Sequence, residues 1–153
     1  MKLSLYGLYK STEESYLGLE EISSRSNKSD LSFTRDCECE VSEDDENVYF
    51  NIVWGYNIYN VNENRIYRFT SNINYTVKEP ETEIKPNELL LIIDNSYKKS
   101  EDIFSRRLKE YTDKVVPPFD FQDEEDEHLD TMKKIAQRSL VSLLDFLYIN
   151  KQN

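Results

Sequence analysis

The 153-residue chain carries 30 acidic against 19 basic side chains, a formal net charge of −11 with its one histidine neutral. A field of that sign repels nucleic acid and anionic membrane surfaces and favours partners with basic patches. No apolar run approaches a membrane span, and Met1-Lys-Leu-Ser-Leu-Tyr-Gly-Leu8 lacks a signal-peptide core, so a single cytoplasmic domain over 1–153 is the expectation.

Leu3, Leu5, Gly7 and Tyr9 alternate with Lys2, Ser4, Tyr6 and Leu8, which predicts a first strand. Polar residues from Ser11 to Glu14 follow, then the apolar patch Tyr16-Leu-Gly-Leu19 with Ile22, read as one helical turn or a loop over the sheet. Ser23 to Asp30 has the composition of an exposed loop. Phe33, Cys37, Cys39 and Val41 alternate with Thr34, Asp36, Glu38 and Glu40 in a second strand, with Arg35 the odd member of its apolar face. Ser42-Glu-Asp-Asp-Glu-Asn47 closes that strand as a solvated turn, without the ligand spacing or central glycine of a calcium loop.

The next stretch is the most strongly patterned. Val48, Phe50, Ile52, Trp54, Tyr56 and Ile58 share one face, and Tyr49, Asn51, Val53, Gly55, Asn57 and Tyr59 share the other. After the asparagine-rich break Asn60-Val-Asn-Glu-Asn64, Tyr67, Phe69, Ile73, Tyr75 and Val77 line a face opposite Arg68, Thr70, Asn72, Asn74 and Thr76. The pair predicts a long antiparallel hairpin. Pro80 and Pro86 end the sheet region.

The period then changes. Leu89, Ile92, Ile93, Tyr97, Ser100, Ile103, Phe104, Leu108 and Tyr111 recur at steps of three and four, which predicts a helix that Asn95-Ser96 could interrupt. Val115-Val-Pro-Pro118 stops it. Phe119-Asp-Phe121 and the acidic run Asp123–Glu127 lead into a long amphipathic helix from about His128 to Asn150. Its apolar face is predicted from Leu129, Met132, Ile135, Ala136, Leu140, Leu143, Leu144, Leu147 and Tyr148. Strands followed by helices specify an α+β fold: a four-stranded antiparallel sheet with two helices packed on one face.

Catalytic chemistry is thin on this chain. His128 stands beside an acidic run with no nearby cysteine, and three glycines supply no phosphate cradle. Cys37 and Cys39 lack the two further ligands of a soft-metal site and read as reduced core thiols. The clustered carboxylates fall in turns, where no apolar pocket would raise a pKa for acid–base work. The expectation is a protein that is not an enzyme and takes no cofactor and no metal. Eleven tyrosines, seven phenylalanines and a tryptophan point instead to binding. Two helices cover only one sheet face, so Tyr49, Val53 and Tyr59 on the other are the candidate subunit interface.

The order of elements resembles the SecB-like protein-export chaperones. Val48-Tyr-Phe-Asn-Ile-Val53 is similar to that family's Val-Tyr-Glu-Val-Val-Leu strand, and Asn74-Tyr-Thr-Val77 to its Ile-Phe-Ser-Ile. Val116-Pro-Pro-Phe-Asp-Phe121 resembles its interhelical Phe-Pro-Gln-Leu-Asn-Leu, and Leu143-Leu-Asp-Phe-Leu-Tyr148 its Phe-Asp-Ala-Leu-Phe ending. Leu8-Tyr9 and Ser15-Tyr16 fall near the Ile-Tyr and Ser-Phe of its first strand. The resemblance implies a homo-oligomer, a dimer or dimer of dimers, acting as an ATP-independent holdase or adaptor for non-native or dedicated client protein. Client-binding positions carried over from it are Tyr16, Leu17, Leu19 and Ile22 after the first strand, Phe146 and Tyr148 on the last helix, and Trp54. Asn72 and Ile73 replace the family's paired glycines, and Arg68 replaces an acidic position that serves docking in that family, which argues against a SecA-type motor as partner. The alternative is an acidic immunity or antidefence-type inhibitor that binds one folded basic protein.

Overall fold

In the computed structural model, the described residues are 2–15, 31–45, 47–60, 64–78, 85–112 and 126–152. They form strands β1 (Lys2–Ser15), β2 (Ser32–Glu43), β3 (Val48–Tyr59) and β4 (Arg65–Lys78), then helices α1 (Pro86–Thr112) and α2 (Asp126–Gln152). The sheet is antiparallel throughout, in the order β1-β4-β3-β2. β2, β3 and β4 are joined as successive neighbours, while β1 returns beside β4 through a long connection, a Greek-key arrangement. The α+β class, the antiparallel sheet and the two following helices agree with the sequence pattern.

Both hairpin turns are built by short polar side chains. Asn47 donates its backbone N–H to Asp44 Oδ1 at 2.8 Å, and Asp44 N–H reaches the Asn47 carbonyl at 3.1 Å. Asn64 N–H bonds Asn60 Oδ1 at 3.1 Å, and Asn60 N–H the Asn64 carbonyl at 3.0 Å. These are the Asx-type contacts for which asparagine and aspartate are favoured in turns.

β3 is paired on both sides, so its alternation sets the register of the layers. Phe50, Ile52, Trp54, Tyr56 and Ile58 are fully buried beneath the helices, with Tyr67, Phe69, Ile73 and Tyr75 of β4 beside them. Leu89, Ile92, Ile93 and Phe104 close this core from α1, and Ala136, Leu140 and Leu144 from α2. Phe69 and Phe104 stack with centroids 5.2 Å apart, and Tyr56 tilts against Phe104 at 4.2 Å.

Three expectations are corrected. β1 runs through the polar residues to Ser15 instead of ending near Ser11, because its backbone keeps pairing as far as Ser15↔Tyr67 after a register shift at Tyr6/Tyr9. α1 is one helix of 27 residues, uninterrupted at Asn95-Ser96. Ser96 turns its hydroxyl onto the Ile93 carbonyl at 2.6 Å and faces the core rather than breaking the helix. Ile135 does not join the apolar face of α2, since it is 60% exposed. The first turn of α1 is fixed as the sequence allows: Pro86 opens it, and Glu88 accepts the Lys85 backbone N–H at 3.2 Å.

Candidate polypeptide-binding surfaces

A line of hydroxyls and ion pairs seats α1 on the sheet. Trp54 Nε1 donates to Ser96 Oγ at 2.8 Å. Tyr56 OH and Ser100 Oγ are bonded at 2.9 Å, and Ser100 Oγ and Ser71 Oγ at 2.6 Å. Tyr75 OH donates to Asn95 Oδ1 at 2.7 Å. Arg35, whose side chain is 5% exposed, donates from Nε to Glu101 Oε1 at 2.8 Å, and Tyr56 OH donates to the same oxygen at 3.1 Å. Burial, then the Glu101 charge, pushes the Tyr56 hydroxyl pKa well up, so it stays a protonated donor. The sequence pattern places Arg35 and Ser100 on apolar faces without assigning them partners, and leaves Ser71 unassigned. The signal was the polar residue at a core position, which is satisfied only by a matching polar residue across the layer.

α2 is tied to α1 at the outer side of the helical layer. Lys133 Nζ donates to Asp94 Oδ1 at 2.8 Å and lies 4.6 Å from the Tyr97 ring centroid. The Lys133 hydrogen bond, aided by Lys98, holds the Asp94 carboxyl below its ordinary range. Gln137 Nε2 donates to the Pro86 carbonyl at 2.7 Å. Between the helices opens a cleft of about 560 Å³ lined by Asn87, Leu90, Leu91, Asp94, Asp130, Lys133 and Lys134. Leu91 is 70% exposed, and Phe146 of α2 is 63% exposed.

The sheet face turned away from the helices is centred on charge. Arg68 Nη1 and Nη2 donate to Asp36 Oδ2 and Oδ1 at 2.6 and 3.0 Å, and Nη1 also to Asn57 Oδ1 at 2.7 Å. Asn57 Nδ2 donates to Asp36 Oδ2 at 2.8 Å. Half-burial pushes the Asp36 carboxyl up, but the bonds from Arg68 and Asn57, with the Arg68 and Arg65 charges, outweigh it and hold the pKa down. Gly55 leaves the room for this group: a Cβ there would lie 2.6 Å from Asp36 Oδ1 and 2.8 Å from the Arg68 guanidinium.

These surfaces sort the predicted positions. Trp54 is a correction: it is 0% exposed, packs edge-on against Tyr97 with centroids 5.1 Å apart, and belongs to the core. Phe146 stands on the surface. Tyr16, Leu17, Leu19 and Ile22 lie outside the described residues, and so does the side chain of Tyr148. Tyr49, Val53 and Tyr59 are half-buried on the face away from the helices, and Tyr49 OH donates to Asp44 Oδ2 at 2.6 Å. They do not make one apolar patch, because Gly55, Asn57 and the Arg68–Asp36 pair separate Val53 from Tyr59. Cys37 and Cys39 are free thiols half-buried on the helix face of β2, and contact with Cys39, then burial, pushes the Cys37 pKa up. Among the described residues, no cluster of three or more His, Cys, Asp or Glu side chains is placed to hold a metal ion, and no helix is long and apolar enough to cross a membrane.

No family model and no curated protein matches the sequence. Among solved structures, the chain is similar to a SecB-like chaperone of Mycobacterium tuberculosis in complex with a ChAD peptide from the HigA1 antitoxin. The likeness covers 82% of this chain and 88% of that one at 12% identity, with a TM-score of 0.35. At that score it carries no residue-by-residue correspondence.

Proposed function

We propose that this protein is a polypeptide-binding chaperone or adaptor that works without nucleotide hydrolysis and holds non-native or extended client segments. The observation that carries this reading is the helical layer. Large apolar side chains, Leu91, Ile135 and Phe146, stand exposed there, and Leu91 borders the cleft between α1 and α2. Exposed apolar surface rimmed by charge is the feature expected of a site that takes apolar segments of another chain. Asp94 of α1 and Asp130, Lys133 and Lys134 of α2 give the cleft a charged rim that offers polar partners to a client backbone. The negative field of the whole chain keeps a loaded complex soluble and favours basic clients.

The test is suppression of aggregation of a chemically unfolded client, with no nucleotide present. Wild type is expected to suppress it in proportion to its concentration. A Leu91→Ser/Phe146→Ser double variant is expected to lose most of that effect, as truncating anchors in an apolar site does. Unchanged aggregation with wild type, together with one-to-one capture of a native basic protein, would replace this reading by that of an acidic inhibitor.

A further inference from the structure

We infer that the outward face of α2 pairs with the same face of a second copy, as two antiparallel helices about a two-fold axis at the level of Val141. The pairing itself does not depend on the polypeptide-binding reading. Its competition with clients rests on that reading.

Exposure locates the face. Ala136, Leu140 and Leu144 turn one side of α2 into the core. Ile135, Arg138, Ser142, Asp145 and Phe146 stand exposed on the other side, with Ile135 60% and Phe146 63% in solvent. Ile135, Arg138, Ser142 and Asp145 follow at steps of three, four and three, the spacing of a helix–helix seam. Phe146 stands about three turns beyond Ile135 and so falls on the same line along the helix.

Symmetry and charge name the occupant. A two-fold axis sets one residue against a second across the interface, and the second against the first. Val141 stands midway between Ile135 and Phe146, and midway between Arg138 and Asp145, in each case to within one residue, a rise of about 1.5 Å. An axis at that level brings both pairs into register together. Ile135 of each copy then meets Phe146 of the other, and Arg138 of each meets Asp145 of the other. Ser142, beside the axis, is small enough to let the two backbones approach closely. Parallel pairing would instead set Arg138 against Arg138 and Asp145 against Asp145. The net charge of −11 resists association of two copies in general, whereas Arg138 and Asp145 balance one another on this face. A seam of three turns buries less than the roughly 800 Å² per partner of a standard interface, so the dimer is weak and reversible. It covers Phe146, so clients and the second copy compete for α2.

The experiment is sedimentation velocity of the whole protein over a wide concentration range. It compares wild type with Arg138→Asp, Asp145→Arg and the double variant, all at exposed positions and checked for folding by circular dichroism. Wild type is expected to show a monomer–dimer equilibrium. Each single variant is expected to weaken it about tenfold or more, because both symmetry-related ion pairs become repulsive. The double variant exchanges the two charges, keeps the net charge and is expected to regain wild-type association. An equimolar mixture of the two single variants is expected to associate at least tenfold more tightly than either alone, since an acidic face then meets a basic one. A wild type that stays monomeric throughout, a dimer indifferent to these variants, or a mixture no tighter than its components overturns the inference. Aggregation assays run in parallel separate the two readings. If wild type suppresses client aggregation but never dimerises, self-pairing alone fails. If it dimerises with the expected charge pattern and leaves aggregation unchanged, the chaperone reading fails and self-pairing stands.

Discussion

Gly55 shows how a single missing side chain supports an ion pair. The carboxylate of Asp36 and the guanidinium of Arg68 occupy the space a Cβ would take. Gly55→Ala is therefore expected to displace the pair and cost about 1–2 kcal/mol in urea unfolding. In an Arg68→Ala background most of that cost should vanish, and an undiminished cost there would assign it to the backbone instead. Asp36 also sets a pH dependence with a definite sign. Its folded pKa lies below the ordinary 3.8, so its stabilising contribution is present above that value and is lost as pH falls through the folded pKa. The stability gap between wild type and Asp36→Asn should be flat at neutral pH and close on acidification below 3.8. Arg35 poses the opposite case, a cation 5% exposed beneath a helix. Arg35→Ala removes the guanidinium paired with the Glu101 carboxylate and lying over the Tyr56 ring, and is expected to cost about 3 kcal/mol in the same assay. Glu101→Gln keeps an acceptor for both and should cost less.

At the scale of elements, the core contacts and the proposed binding surface fall on different faces of the helices. Trp54→Phe removes the donor to Ser96 while keeping an aromatic ring, and is expected to cost about 1–2 kcal/mol with client binding unchanged. Leu91→Ser and Phe146→Ser each should leave stability within about 0.5 kcal/mol, since both side chains are mostly in solvent. A Trp54 variant that lost client binding at full stability would move the site under the helix. The alternation of β3 and the three-four spacing of α1 made these elements readable from the chain alone, because burial on one side imposes a period. Partnerships across layers were not readable. Nothing in the spacing of Arg35, Ser71, Ser96 and Ser100 reveals that Glu101, Tyr56 and Trp54 come to meet them. Trp54 drew a binding role from the family resemblance, and its indole N–H is instead satisfied inside. Ile135 falls off the apolar face of α2 because adjacent helical residues stand about 100° apart, so it turns outward where its neighbour Ala136 is buried.

For the whole molecule the charge of −11 acts at a distance. Association with a cationic client should slow markedly between low and physiological salt, while dissociation from the apolar cleft changes little, a split that stopped-flow measurements resolve. The topology has a consequence in time as well. Of the four strands β1 is made first, yet its neighbour β4 ends at Lys78, so β1 must wait through the synthesis of β2 and β3 before its ladder exists. β2, β3 and β4 need only short-range closure, whereas pairing Lys2 with Lys78 closes most of the sheet-forming chain. In pulsed exchange during refolding, amides of β2 to β4 should gain protection before those of β1, and simultaneous protection would contradict this order. Until then β1 is an unpaired, partly apolar strand, so each newly made copy briefly resembles the clients proposed for its mature neighbours.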